Sequence, residues 1–227
     1  MLTPTERAEQ VVHLADADQS FRTATCHQLE AAGFQTRQHP TATDFLDSHT
    51  APPRGCLVLD IRFPTGISGP DLQQELNRRH AILPLIFLTG HGDIPTSVKV
   101  LKGGAHDFLT KPADISSLLQ AVTTALAKEQ ALWDSRQKYK DRLENLLNLT
   151  ATEREIFLRM VDGISYERIC RELGIPRATV STHRSGIMRK MKATTLAQLV
   201  HQTHQLRVSM GKESFPTVRS LFEIEEL

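Results

Sequence analysis

The chain has 227 residues, of which 40% are hydrophobic and 23% charged, and its formal net charge is +1. That length accommodates one large domain or two ordinary ones, and the composition is that of a soluble globular protein. No stretch approaches the roughly 20 apolar residues of a membrane span. The polar start MLTPTERAEQ lacks the apolar core of a signal peptide, so a cytoplasmic protein with no membrane partner is expected.

The three cysteines, Cys26, Cys56 and Cys170, are scattered and lack metal-ligand spacing, which suits buried thiols in a reducing compartment. Charge is uneven along the chain. Between Asn148 and Leu206 nine basic residues face five acidic ones, a surplus of four that favours a nucleic-acid partner without requiring one.

The first half alternates apolar runs with amphipathic stretches. Val11–Ala15, Cys56–Leu59 and Leu85–Leu88 have the length and composition of buried parallel strands. Two further strands fit near Phe34–Arg37 and Asp107–Leu109, and helices fit Phe21–Ala31, Gly69–Arg79 and Thr96–Lys102. This alternation predicts a doubly wound α/β domain with a five-stranded parallel sheet, whose ligands sit beyond the carboxyl ends of the strands. At those ends stand Asp16, Asp60, Thr89 and Lys111. Two carboxylates side by side repel unless a cation joins them, and a hydroxyl and an ammonium beside them would stabilise an added phosphoryl group. The set is equipment for receiving phosphate on Asp60.

From Asp114 to Leu147 the pattern is continuously helical, with Leu118, Leu119, Val122 and Leu126 forming one apolar stripe toward the sheet. Leu132, Tyr139 and Leu146 then recur every seven residues, with Leu143 between them and Arg136 interrupting the heptad. That spacing allows either a short inter-subunit helix or a solvated connecting one. Thr150-Ala151-Thr152-Glu153 has the form of a capping box and opens a helix over Glu153–Val161. Ser165 caps Tyr166–Leu173, Gly174 ends it, and two more helices run over Arg177–Met191 and Thr195–Gln205. Two short helices about the turn Leu173-Gly174-Ile175 have the shape of a helix-turn-helix. The tail after Arg207 is patterned only at Val218–Ile224.

Three segments resemble the receiver domains of two-component response regulators, most closely the FixJ branch. They are Leu57 to Pro64, Phe87-Leu88-Thr89-Gly90-His91-Gly92-Asp93, and Gly104 through Lys111-Pro112. The resemblance implies a flavodoxin-like fold in which a sensor histidine kinase phosphorylates Asp60, Thr89 and Lys111 contact the phosphoryl group, and Phe108 is an aromatic switch partner of Thr89. It also implies Mg2+ held by Asp16, Asp60 and the main-chain carbonyl of Arg62. This sequence departs from the family at Ala17, where a second acid is usual, with Asp18 next along as the alternative oxygen. The loop Pro64-Thr65-Gly66-Ile67-Ser68-Gly69 is one residue longer than the family's form. Lower magnesium affinity is expected, because each lost oxygen weakens a hard-cation site.

Asn148 to Gln205 resembles the LuxR-type four-helix DNA-binding domain, through Leu149 to Glu155, Gly163-Ile164-Ser165, the Leu173 turn, and Thr179-Val180, His183-Arg184 and Ile187–Met191. Val180, Ile187 and Met191 share one face suited to a core, while Ser181, Thr182, Arg184 and Ser185 lie away from it and face a major groove. Thr179, Arg189 and Lys190 are placed for phosphates, and Arg177 completes the expected DNA-binding set. Pro176 stands where a serine cap is frequent, so that helix start lacks a side-chain cap. His201 and His204 are read as surface histidines.

The organisation that follows is a receiver at 8–128, a helical linker at 129–147, an all-α four-helix domain at 148–206 and a tail at 207–227. The function expected is phosphorylation-controlled transcriptional regulation by a homodimer on double-stranded DNA. The alternative keeps DNA binding but replaces phosphorylation with control by dimerisation, abundance or a ligand. An enzymatic reading, a metal-dependent phosphohydrolase, lacks a second acid beside Asp60, which is followed by Ile61 and Arg62.

Overall fold

The computed structural model describes residues 10–49, 51, 53–90 and 94–209. It divides into two compact units between Asp134 and Ser135. The first contains β1 (Val11–Ala15), α1 (Gln19–Ala31), β2 (Gln35–His39), α2 (Ala42–Asp47), β3 (Gly55–Leu59), α3 (Gly69–Arg78), β4 (Leu85–Thr89), α4 (Ile94–Lys102), β5 (Asp107–Thr110) and the first turns of α5 (Ile115–Leu147).

The five strands form one parallel sheet in the order β2-β1-β3-β4-β5, the doubly wound flavodoxin-like arrangement. β3 and β4 are buried at every position because helices cover both faces. On one face Val12, Leu14, Val58, Ile86 and Leu88 meet Cys26 and Leu29 of α1 and Leu118, Val122 and Leu126 of α5. On the other, Leu57, Leu59, Leu85 and Phe87 meet Phe45 of α2, Leu72 and Leu76 of α3 and Val100 of α4. α2 was not anticipated. It has six residues, too few to show a helical period, although Thr41 caps it through the Asp44 N–H.

The second unit holds α6 (Ala151–Val161), α7 (Tyr166–Leu173), α8 (Arg177–Lys190) and α9 (Leu196–Ser209). The Thr150 capping box puts Glu153 at the third helical position, so α6 begins two residues before the expected Glu153. Gly174 ends α7 in the left-handed region at φ +65°, which a Cβ would disfavour. Pro176 opens α8 without a side-chain cap.

The boundaries of the expected linker need correction. Glu129 is fully buried within the first unit, whereas Leu146 is fully buried in the core of the second, with Tyr139 and Leu143 packed against the same core. Tyr139 and Leu146 of the seven-residue recurrence thus pack within the second unit, while Leu132 is exposed. Residues 207–209 continue α9 instead of opening a tail, and Val218–Ile224 lies outside the described residues. Among the described residues no helix is long and apolar enough to cross a membrane.

Candidate functional site: an acidic pocket and an exposed recognition helix

β1 and β3 are neighbours in register, Ala15 opposite Leu59, so the residues that follow them must emerge side by side. The Asp60 N–H donates to the Ala15 carbonyl at 2.9 Å and fixes that adjacency. β4 and β5 pair Thr89 with Thr110, and the Lys111 N–H donates to the Thr89 carbonyl at 2.8 Å. With β3 also paired to β4, Leu59 opposite Phe87, three pairings bring four dispersed residues to one edge of the sheet, the crevice that a doubly wound topology opens where strand order reverses.

Lys111 spans the two acids. Its ammonium donates to Asp60 Oδ2 at 2.8 Å and also to Asp16 Oδ2. Burial disfavours the ammonium, but the bonds to Asp16 and Asp60 outweigh that cost and hold its pKa above the ordinary lysine range. Asp16 is buried, while Asp60 is half-buried with Oδ1 accepting from the Ile61 N–H at 2.6 Å. Thr89 is buried, and Phe108 is half-buried against the apolar face that includes Phe87. His91, Gly92 and Asp93 of the expected signature lie outside the described residues.

Asp18 does not join the pocket. Its Oδ1 accepts from the Phe21 N–H at 3.0 Å as the cap of α1, and the side chain is exposed. Arg62 stands exposed where the longer loop begins. The loop returns through Gly69, whose N–H donates to the Ile61 carbonyl at 2.9 Å; a Cβ there would lie 2.3 Å from the Asp60 carbonyl oxygen. Among the described residues no group of three acidic, histidine or cysteine side chains is arranged to hold a metal.

Two neighbours of the pocket were not anticipated. Arg22 is buried on α1 and donates to the Asp16 carbonyl. The Phe21 ring lies beside the Lys111 ammonium, 4.3 Å from ring centroid to nitrogen. Arg22, Cys26 and Leu29 share the inward face of α1 at spacings of four and three, which was the available signal for Arg22.

In the second unit, Arg177, Thr179, Ser181, Thr182, Arg184, Ser185 and Arg189 are all exposed on α8. Ser181, Thr182, Ser185 and Arg189 line one open hollow of about 470 Å³ with Ala178 and Gly186. The hydroxyls of Thr182 and Ser185 each donate to the carbonyl four residues back, at 3.1 Å, leaving oxygen lone pairs facing outward. Arg177 packs over Tyr166 and lies 3.7 Å from Glu167.

Lys190 requires correction. Its ammonium turns inward to Glu153 Oε2 at 2.6 Å and to the Asn148 carbonyl at 3.2 Å instead of facing phosphate. Glu153 is buried, and its pKa lies below the usual glutamate value: burial pushes it up, but hydrogen bonds from Lys190 and Thr150 pull it further down. Gly186 lets α8 pass close above Glu153, since a Cβ there would be 2.9 Å from Glu153 Oε1. Several other cations of this unit are also used internally. Arg154 donates to the Leu147 and Leu149 carbonyls, Arg159 pairs with Glu155 and Glu172, and Arg168 pairs with Glu172. Arg171, Arg184, Arg189 and Lys192 are exposed without an ion pair among the described residues.

Residues 12–123 match the model of the response regulator receiver domain, and residues 147–203 match that of bacterial regulatory proteins of the luxR family. The chain is 36% identical over 206 residues to the transcriptional regulatory protein FixJ of Azorhizobium caulinodans, covering 91% of this chain and 97% of that protein. It is similar to a low-resolution structure of the response regulator StyR, with TM-score 0.78 and 36% identity over 87% of this chain and 99% of that one. Full-length FixJ from B. japonicum gives a TM-score of 0.54 at 29% identity, covering 88% of this chain and 98% of that one. The acidic pocket at the sheet edge and the exposed α8 are the two parts such proteins join, and this chain belongs to the two-component response regulators of FixJ type, with a receiver domain and a luxR-family DNA-binding domain.

Proposed function

We propose that Asp60 is the phosphoacceptor and that its phosphorylation by a sensor histidine kinase controls DNA binding by α8. The observation that carries this reading is the Lys111 ammonium held between Asp16 and Asp60, beside buried Thr89. In the transfer an Asp60 oxygen forms a bond to phosphorus while the bond from phosphorus to the donor breaks; with acetyl phosphate, acetate leaves. Lys111 then moves from the carboxylates to the new phosphoryl oxygens, and the Thr89 hydroxyl supplies a hydrogen bond. The chain acts in the cytoplasm as a regulator rather than as a catalyst.

Receiver domains bind Mg2+ for phosphorylation. Asp16 and Asp60, which meet at the ammonium of Lys111, would hold such an ion together with the Arg62 carbonyl. Such an ion supplies charge neutralisation for the incoming phosphoryl group. Ala17 leaves the set one oxygen short. Ala17→Asp is expected to tighten magnesium binding and speed labelling by acetyl phosphate, followed by intact-protein mass. Equal magnesium titrations for the two forms would show that another group already fills the position.

On DNA, two copies of α8 are expected to read paired half-sites. Arg184 and Arg189 supply cationic contacts, while Thr182 and Ser185 present acceptors suited to the exocyclic amino groups of adenine or cytosine. A fragment of residues 135–209 is expected to bind duplex DNA with a steep salt dependence, about −0.9 in log–log slope per phosphate neutralised. Replacing Thr182 or Ser185 by Ala is expected to change the preferred sequence, by roughly 1–3 kcal/mol per lost base contact. Selection from random duplexes checks this; variants that recover the parental site would place α8 the other way round.

A further inference from the structure

We propose that Phe21 is a positioning residue for phosphoryl transfer, acting through Lys111; this rests on the reading of Asp60 as phosphoacceptor. Phe21 sits in the first turn of α1, three residues after Asp18, whose side chain accepts from the Phe21 N–H and fixes that turn. Its ring centroid is 4.3 Å from the Lys111 nitrogen, within the range at which a ring face attracts an ammonium. The same nitrogen bonds Asp60 at 2.8 Å and also Asp16. The ammonium therefore has two charged partners and one aromatic one.

The three partners differ in what happens to them during transfer. Asp60 changes charge distribution when it is phosphorylated, and Asp16 is released as the ammonium turns to the phosphoryl oxygens. The ring alone keeps the same electrostatic face throughout. Phe21 is half-buried and also packs against the apolar cluster shared by β1, α1 and α5, so it has little freedom to move away. The lysine stem is long and flexible, and the ring confines the head group to the volume above Asp60. The ammonium is then already in place when phosphate arrives, which lowers the ordering cost of the transfer. Ala17 sharpens the need, because the pocket lacks one anionic oxygen that would otherwise help hold cations there.

The test uses the full chain with Phe21 replaced by Leu, by Tyr, and by fluorinated phenylalanines that weaken the ring face at nearly constant size. Two quantities are read: the ring-current displacement of the Lys111 Cε–Hε resonance, and the rate of phosphoryl accumulation from acetyl phosphate at saturating magnesium. Phe21→Leu is expected to abolish the displacement and slow labelling about two- to five-fold. The fluorinated series should slow in graded fashion, and Phe21→Tyr should restore both readouts. Leu and Tyr variants that slow equally, or a fluorinated series as fast as the parent, would overturn the proposal. If the parent itself gains no phosphoryl group, the phosphoacceptor reading fails, and the Lys111 resonance alone decides whether Phe21 positions the ammonium.

Discussion

Acidification from pH 7.5 to 5 is expected to lower receiver stability by about 4 kcal/mol, a large share of the stability of an ordinary domain. The cause is a histidine cluster beside the pocket. His13 in the middle of β1 and His39 at the end of β2 are both buried, with His13 Nδ1 and His39 Nε2 3.0 Å apart. His49 and Phe45 close the cluster edge-on to His13, and Arg37 adds positive charge nearby. Burial first, and then the charges of the other histidines, hold His13 down to about 3 and His39 to about 4. Both folded values lie below the unfolded value of 6.5. The unfolded chain therefore takes up protons first as pH falls, and stability present above 6.5 is lost progressively below it. Each histidine contributes roughly 2 kcal/mol by pH 5, from 1.36 kcal/mol per unit of separation. Urea midpoints at the two pH values measure the loss. A flat midpoint, or a double variant His13→Leu/His39→Leu that keeps the full slope, would contradict the assignment.

Lys190→Ala is expected to destabilise the second unit rather than to remove a DNA contact. Glu153 is buried, and Lys190 is its charged partner at 2.6 Å. Without the ammonium the carboxylate retains the Thr150 N–H at 2.8 Å but loses its counter-charge. Breaking a fully buried pair costs about 3–5 kcal/mol; with Lys190 one-third exposed, about 1–2 kcal/mol is expected. Thermal unfolding of the 135–209 fragment reads the effect, and Glu153→Gln combined with Lys190→Met should recover most of it. If Lys190→Ala leaves the melting temperature unchanged and weakens DNA binding uniformly, the lysine serves phosphate after all.

Periodicity and strand composition were enough to read the sheet. Cys56–Leu59 and Leu85–Leu88 are continuously apolar because both faces are covered, and Asp60 and Thr89 follow them directly. Register then does what sequence position cannot. Ala15 opposite Leu59 makes Asp16 and Asp60 neighbours although they lie 44 positions apart in the chain. Contacts made by long side chains were not legible. Lys190 looked like a surface cation because it follows Arg189 near the end of a basic helix, and only the fold shows Glu153 beneath it. Whether Asp18 stood in for the oxygen missing at Ala17 was left open by its place near Asp16; its side chain caps α1. The spacing of Tyr139 and Leu146 left an inter-subunit helix and a solvated one equally open, because core packing against a helix face uses nearly the same period as a coiled coil.

The central claim is that Asp60 receives the phosphoryl group, and Asp60→Asn tests it most directly. The full chain and the variant are incubated with acetyl phosphate and magnesium, and intact mass is measured before and after. The parent is expected to gain one phosphoryl group and Asp60→Asn none, with both forms showing the same far-ultraviolet circular dichroism. A variant that labels to the same extent as the parent would place the phosphate elsewhere and contradict the reading of the pocket.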